Sequence, residues 1–221
     1  METYVPPESY FNDDYVTIYH GDCRELIPQF KDQAFDLCLT DFPYGNNTRY
    51  DTYDDTRENL QELISTVMPQ ILRTSKRALI ACGNANQRMY PEPAWTLAWI
   101  VKAGAGSGPW GFSCWQPILA YGADPYLQAG LGRRPDIIEK IEIADEFGHP
   151  CPKPYDFWMT LLLRGSTKQD EIIFDPFMGS GTTPIVARAT GRKCVCVELS
   201  EKYCELAVNR YQREPPLFSF G

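Results

Sequence analysis

Between residues 172 and 200 the chain reads IIFDPFMGSGTTPIVARATGRKCVCVELS, and few folds accommodate that order of residues. A β-branched and aromatic run ends on an acid, Asp175. Gly179 and Gly181 follow at once, and a helix-compatible stretch opens near Thr182 and Thr183. Pro184 suits a first helical turn, and Gly191 suits a helix end. A second apolar run, RKCVCVELS, comes next. Strand, glycine turn, helix and strand form the phosphate- or nucleotide-type unit of an α/β sheet, in which a ligand sits at the carboxyl end of the strand beside the helix N-terminus. Glycines there let the backbone approach the ligand without Cβ interference. Glu198, nineteen residues after Gly179, ends the second strand, where an acid hydrogen-bonds ribose hydroxyls in such sites.

The rest of the chain repeats the alternation. YVTIYHGD (15–22) reads as a strand and CRELIPQF as a short helix or turn. AFDLCLTDFPYG (34–45) reads as a buried parallel strand with an abrupt polar end. After the polar loop NNTRYDTYDDT, Leu60, Leu63, Ile64, Val67 and Ile71 stand at helical spacing, and RALIACG is a third strand. AWTLAWIV reads equally as strand or short helix, PILAYG as a strand, and 123–150 as a loop or small insert. PKPYDFWMTLLLRGS and EKYCELAVNRYQRE are helices. Residues 1–14 read as an arm or loop. Strands alternating with helices predict a single α/β domain over 1–221 with a mainly parallel sheet.

Composition narrows the class. The 221 residues suffice for one sizeable core, and no apolar run approaches the length of a membrane helix. The acidic, non-apolar N-terminus is unlike a secretory signal, so a cytoplasmic setting is expected. Eight cysteines in that setting read as core residues rather than disulfides. Cys194 and Cys196 alternate with Val195 and Val197 as in a buried strand, and no Cys/His cluster has metal-ligand spacing. The net charge of −8 opposes nucleic acid at first sight, but 13 of the 29 acids lie in residues 1–60, against 4 of the 21 bases. The remainder is near neutral. Arg133, Arg134, Lys140, Arg164 and Lys168 are candidates to face a polyanion, with a modest salt-dependent affinity expected.

A second constellation is DFPY. Asp41, Phe42, Pro43 and Tyr44 fall at the carboxyl end of a buried strand, where open α/β sheets hold their active sites. An exocyclic amino nitrogen is a poor nucleophile because its lone pair is conjugated with the ring. A carboxylate at Asp41 and a backbone carbonyl at Phe42 can accept its two N–H bonds and localise that lone pair. Tyr44 can stack on a base withdrawn from its helix, and Pro43 stiffens the turn.

Together these residues resemble the DNA amino-methyltransferases that act on adenine N6 or cytosine N4. FDPFMGSGTT resembles the family's cofactor motif (172–198 here with its acid), and DFPY (41–44) resembles its catalytic [Asp/Asn/Ser]-Pro-Pro-[Tyr/Phe/Trp]. GHPCPKPYDFWMTLLL resembles the His-Pro-x-x-Lys-Pro segment and helix before the cofactor motif. YHGD matches a strand end that touches the cofactor adenine, and CWQPILAYG matches Trp-Glu-Pro-Ile-Leu-x-Tyr-Gly with Gln116 at the Glu position. The catalytic-first order is that of the circularly permuted beta group. The resemblance implies a Rossmann-like seven-stranded sheet with helices on both faces. It implies S-adenosyl-L-methionine as cofactor, held by Asp22, Lys153, Asp175, Phe177, Gly179, Gly181 and Glu198. It implies DNA with a flipped target base as substrate, handled by Asp41, Phe42, Pro43 and Tyr44.

Two departures stand out. Phe42 replaces the first proline of the catalytic motif, which keeps the carbonyl but adds bulk that can reshape the pocket. The recognition insert, 123–148, is small, so sequence reading is brief, weak or shared in a homodimer. Arg133 and Arg134 are its best candidates for phosphate or guanine contacts. Asp at the head of the motif favours adenine, while the family's cytosine enzymes more often carry Ser. The alternatives are an N4-cytosine enzyme, or a non-catalytic cofactor- or DNA-binding relative suggested by Phe42. RNA- and protein-amide methyltransferases carry the motifs in the opposite order, and a NAD enzyme leaves DFPY unexplained.

Overall fold

The computed structural model describes residues 8–101, 106–139 and 153–214. In chain order the strands are β1 (Phe11–Asn12), β2 (Val16–His20), β3 (Leu37–Asp41), β4 (Ala78–Ala81), β5 (Trp95–Ile100), β6 (Ser107–Gly108), β7 (Gly111–Phe112), β8 (Trp115–Tyr121), β9 (Ile137–Glu139), β10 (Ile172–Asp175) and β11 (Lys193–Glu198). The helices are α1 (Cys23–Leu26), α2 (Arg57–Thr74), α3 (Pro125–Gln128), α4 (Tyr155–Gly165), α5 (Thr182–Ala189) and α6 (Glu201–Arg213).

One sheet runs in the order β1-β2-β11-β10-β3-β4-β8-β5-β9, and β6 pairs with β7 alone. β8 is antiparallel to β4 and β5, and β1 to β2; the other neighbours in the large sheet are parallel. The α/β class and the mainly parallel sheet are those expected. The expected seven strands are a correction. The sheet has nine, because short extended pieces cover both edges: β1 arises from the segment read as an arm, and β9 from the segment read as an insert. Unpaired edge N–H and C=O groups favour such additions. AWTLAWIV resolves as the strand β5, with Leu97 and Trp99 buried on alternate positions.

The period-2 alternation of the strands separates two apolar layers. Leu37 and Leu39 face the side covered by Phe157, Trp158 and Leu161 of α4, Ile185 and Val186 of α5, and Ala207 and Tyr211 of α6. Cys38 faces the other side, with Leu60, Ile64, Val67 and Ile71 of α2. α2 starts where it does because the Thr56 side chain accepts from the Asn59 N–H, satisfying an orphan donor of the first turn. Six of the seven described cysteines are buried, including Cys194 and Cys196, and all seven are free thiols. Among the described residues no helix is long and apolar enough to cross a membrane.

This topology positions the site. β10 passes through α5 to β11 on one side, and β3 passes through α2 to β4 on the other. The chain therefore diverges between β10 and β3, which opens a crevice at their carboxyl ends.

Candidate active site

Four neighbouring parallel strands end on or beside an acid at the same edge: β2 at Asp22, β11 at Glu198, β10 at Asp175 and β3 at Asp41. These residues, far apart in sequence, all line one cleft of about 980 Å³, part of it open to solvent.

At the crevice, Asp41 is largely buried. Its Oδ1 accepts from the Tyr44 hydroxyl at 2.9 Å and its Oδ2 accepts from Lys153 Nζ, which also lies 3.0 Å from the Tyr44 oxygen. Burial raises the Asp41 carboxyl above the usual carboxylate range, against the opposing pull of the Lys153 charge. Pro43 lines the cleft, but the Phe42 side chain does not. Phe42 is 1% exposed and packs between Tyr90 (ring centroids 5.4 Å apart) and Phe177 (4.5 Å). The expectation that its bulk reshapes the pocket is thus corrected: the chain turns that side chain into the core. The Tyr44 carbonyl accepts from Asn86 Nδ2 at 2.6 Å, which braces the turn from the segment after β4.

The glycine turn holds the other acids in place. Buried Asp175 accepts from Thr40 Oγ1 (2.6 Å), the Phe177 N–H (3.0 Å) and Thr183 Oγ1. Burial pushes its carboxyl up to about 6 in spite of those donors. Glu198 accepts from the Gly179 N–H at 2.8 Å and the Ser200 N–H at 2.9 Å, and burial raises its pKa as well. Asp22 caps α1 and pairs with Arg24 at 2.5 Å; burial alone would raise its pKa, but Arg24 lowers it on balance. Phe177 and Gly179 line the cleft, as expected from sequence, whereas Gly181 does not. Gly181 has φ +85° at the start of α5, and a Cβ there would lie 2.7 Å from Ala207 Cβ of α6. It is glycine for the backbone turn and the helix–helix approach, not for ligand space.

Sequence reading passed over the loop at 45–56. Its buried Asp55 accepts from the N–H groups of Gly45 (2.7 Å), Asn46 (3.2 Å) and Thr48 (3.1 Å), folding the loop around one carboxylate. Tyr50, Thr52 and Tyr53 then line the cleft, and Asp51 accepts from Ser200 Oγ at 2.7 Å, joining the loop to the end of β11. The run of Asp, Asn and Tyr in that loop was the only signal.

A family profile described as DNA methylase (N6_N4_Mtase) matches residues 133–209. The methylase-family protein YubD of Escherichia coli (strain K12) is 30% identical over 199 residues, covering 83% of this chain and 84% of its own length. The chain belongs to the N6/N4 DNA methylase family. Its fold is similar to that of the PvuII DNA methyltransferase (cytosine-N4-specific), with a TM-score of 0.70 at 14% identity, covering 96% of this chain and 91% of that one. It is also similar to TTHA0409 of Thermus thermophilus, assigned as a DNA modification methylase and complexed with S-adenosyl-L-methionine. There the TM-score is 0.62 at 23% identity, covering 91% of this chain and 95% of that one.

Within this methylase, Lys153, expected from sequence beside the cofactor motif, lines the cleft and reaches Asp41 of DFPY directly. The residues before it, 148–152, and Lys140 lie outside the described residues. Arg133 and Arg134 stand away from the DFPY edge. They line a second cavity with Arg77, Asp124, Asp136 and Arg164. Leu37 and Ala78, at the amino ends of β3 and β4, line it too, so it opens at the opposite edge of the sheet from Asp41. β8 runs antiparallel and delivers the following segment to that edge. Arg134 stacks 4.7 Å over the Tyr126 ring, and Arg164 pairs with Asp124 at 2.6 Å.

Proposed function

We propose that this methylase transfers the methyl group of S-adenosyl-L-methionine to the N6 amino group of adenine in DNA. The observation that carries the reading is Asp41 at the crevice, held by Lys153 and Tyr44 and sharing one cleft with Asp22, Asp175 and Glu198. These groups fit a cationic, ribose-bearing cofactor. Each Glu198 oxygen accepts one backbone N–H and keeps lone-pair capacity for ribose hydroxyls, and the acid-rich lining suits a sulfonium charge. When bound, the cofactor supplies an activated methyl group.

The protein's own part is positioning. Asp41 accepts one N–H of the target amino group through its spare lone pairs, and the Phe42 carbonyl accepts the other. Both draw the nitrogen lone pair out of conjugation and aim it at the cleft. Asp41 is the nearest base for the proton that nitrogen must lose. The Lys153 charge pulls the Asp41 carboxyl down against the burial that raises it. Tyr44, which stands beside the cleft with Lys153 5.2 Å over its ring, is the motif's aromatic residue for stacking on the withdrawn base. Asp at the head of the motif supports adenine over cytosine; the likeness in fold to a cytosine-N4-specific enzyme supports the second reading, N4-cytosine. Labelled-methyl transfer to unmethylated DNA, followed by nucleoside digestion and mass analysis, separates them. N6-methyl-deoxyadenosine is the expected product, and N4-methyl-deoxycytidine would replace the first reading with the second.

The Lys153–Asp41 pair predicts a pH effect. Methyl transfer requires ionised Asp41, so kcat/KM falls as pH drops through its raised pKa. Lys153→Met removes the cation that lowers that pKa, so the acid limb of the profile should move to higher pH. A limb that stays in place would show that another group titrates there.

A further inference from the structure

We propose that the β6–β7 hairpin is a wedge that enters the base stack of duplex DNA, with Trp110 at its tip filling the space from which the target base is withdrawn. The inference rests on the proposed DNA substrate and extends it to a part of the chain outside the cleft.

The hairpin lies over the catalytic edge of the sheet. Ala81, the β4 partner of Asp41, pairs with Ile118 of β8, so Trp115 lies three residues further out. At strand rise that is about 10 Å past the end of β4. β5 and β8 are paired out to Ile100 and Trp115, and Val101 N–H donates to the Cys114 carbonyl at 2.8 Å. The hairpin therefore continues outward from the carboxyl edge, the edge that carries Asp41.

Its tip is bare. Trp110 is 102% exposed and Phe112 84%, the two most exposed large apolar side chains among the described residues. A Cβ built on Gly106, Gly108 or Gly111 would meet nothing within 4 Å, so among the described residues nothing packs against the outer part of this small hairpin. An indole held fully in water forgoes the gain of burial, which marks it for a partner. Apolar side chains that enter a base stack are a recurring means of holding DNA in a distorted state, and base withdrawal leaves a gap that such a side chain fills.

Charge points to the same partner. From Pro93 to Ala123, 31 consecutive residues contain no acid and one lysine, in a chain with 29 acids in 221 residues. The exposed part of that run, the hairpin at 106–113, carries no charged side chain, so nothing on it repels a polyanion. The hairpin base is also tied to the catalytic turn. Asn84 Nδ2 donates to the Trp115 carbonyl at 2.9 Å and to Ser113 Oγ, and Asn86, two residues on, donates to the Tyr44 carbonyl. One short segment after β4 thus links the base of the hairpin to Tyr44.

Two measurements test the wedge. Because Trp110 touches nothing in the fold, Trp110→Ala should leave the melting temperature unchanged. It should lower methyl transfer on unmethylated duplex DNA by about tenfold or more, while transfer to the same DNA after heat denaturation changes less than about twofold, since unpaired bases need no wedge. Independently of activity, duplex DNA should quench the tryptophan fluorescence of the wild type, and Trp110→Phe should remove most of that quench. Equal losses on duplex and denatured DNA, or a quench that survives Trp110→Phe, would overturn the wedge. A wild type that shows the Trp110-dependent quench yet transfers no methyl group would sink the proposed activity and leave the wedge standing.

Discussion

Replacing Asp41 with Asn should lower methyl transfer about a thousandfold or more while cofactor affinity changes only a few-fold. Losing one preorganised group that acts on the reacting atom costs about 10²–10³ in turnover, and in the proposed mechanism the same group accepts the N–H and stands nearest the departing proton. Its chief work appears only as the nitrogen attacks, so kcat should bear the loss rather than binding. Asn nearly preserves the volume but turns an amide toward Lys153, which now reaches Asp41 Oδ2. A largely buried ammonium without its carboxylate costs stability, on the order of 3–5 kcal/mol for a fully buried pair and less at a cleft wall. Asp41→Asn with Lys153→Met separates the two effects. The double variant should recover melting temperature and remain inactive. Isothermal calorimetry with S-adenosyl-L-methionine and labelled-methyl assays supply the readouts. Wild-type turnover by Asp41→Asn would remove DFPY from the catalytic centre.

Gly181→Val should strike the fold rather than the cleft. At φ +85° a β-branched residue is strained by about 1–2 kcal/mol, and its Cβ would press within 2.7 Å of Ala207 Cβ between α5 and α6. Overpacking at such a contact adds about 1–3 kcal/mol. The sum, about 2–5 kcal/mol, should lower the melting temperature by roughly 4–20 °C in a domain of this size. Gly181→Ala keeps the strain and most of the contact. Adding Ala207→Gly should restore the packing part only, and a double-mutant cycle by thermal melts measures that coupling. If Gly181→Val melted like wild type but no longer bound S-adenosyl-L-methionine, the glycine would face the ligand after all.

Much of the architecture was legible in the sequence because the signals were local and strong. The period-2 strands, the 3.6-period α2 and the glycine turn between β10 and α5 each follow from a few neighbouring residues. The motifs also named the acids that ring the cleft, since a strand must end on each of them whatever the sheet order. AWTLAWIV could not be decided locally. A short apolar run suits strand or helix, and pairing with β8 on one side and β9 on the other settled it.

What only the tertiary structure decided depends on contacts between distant segments. Sheet order brings Asp22, Glu198, Asp175 and Asp41 to one edge, and no sequence spacing encodes it. Phe42 sits in the catalytic motif by sequence, but the space between Tyr90 and Phe177 takes its ring. Gly181 belongs to the cofactor motif by sequence, but α6 is what requires a hydrogen there. Lys153 meets Asp41 across 112 residues. Charge and a place in the insert single out Arg133 and Arg134, and the antiparallel course of β8 carries them to the opposite edge, while the hairpin before β8 leaves Trp110 above the edge that carries Asp41. Residue type and spacing determine which chemistry a chain can perform. The direction and order of its strands determine which residues meet to perform it, because those follow from the packing of the whole sheet.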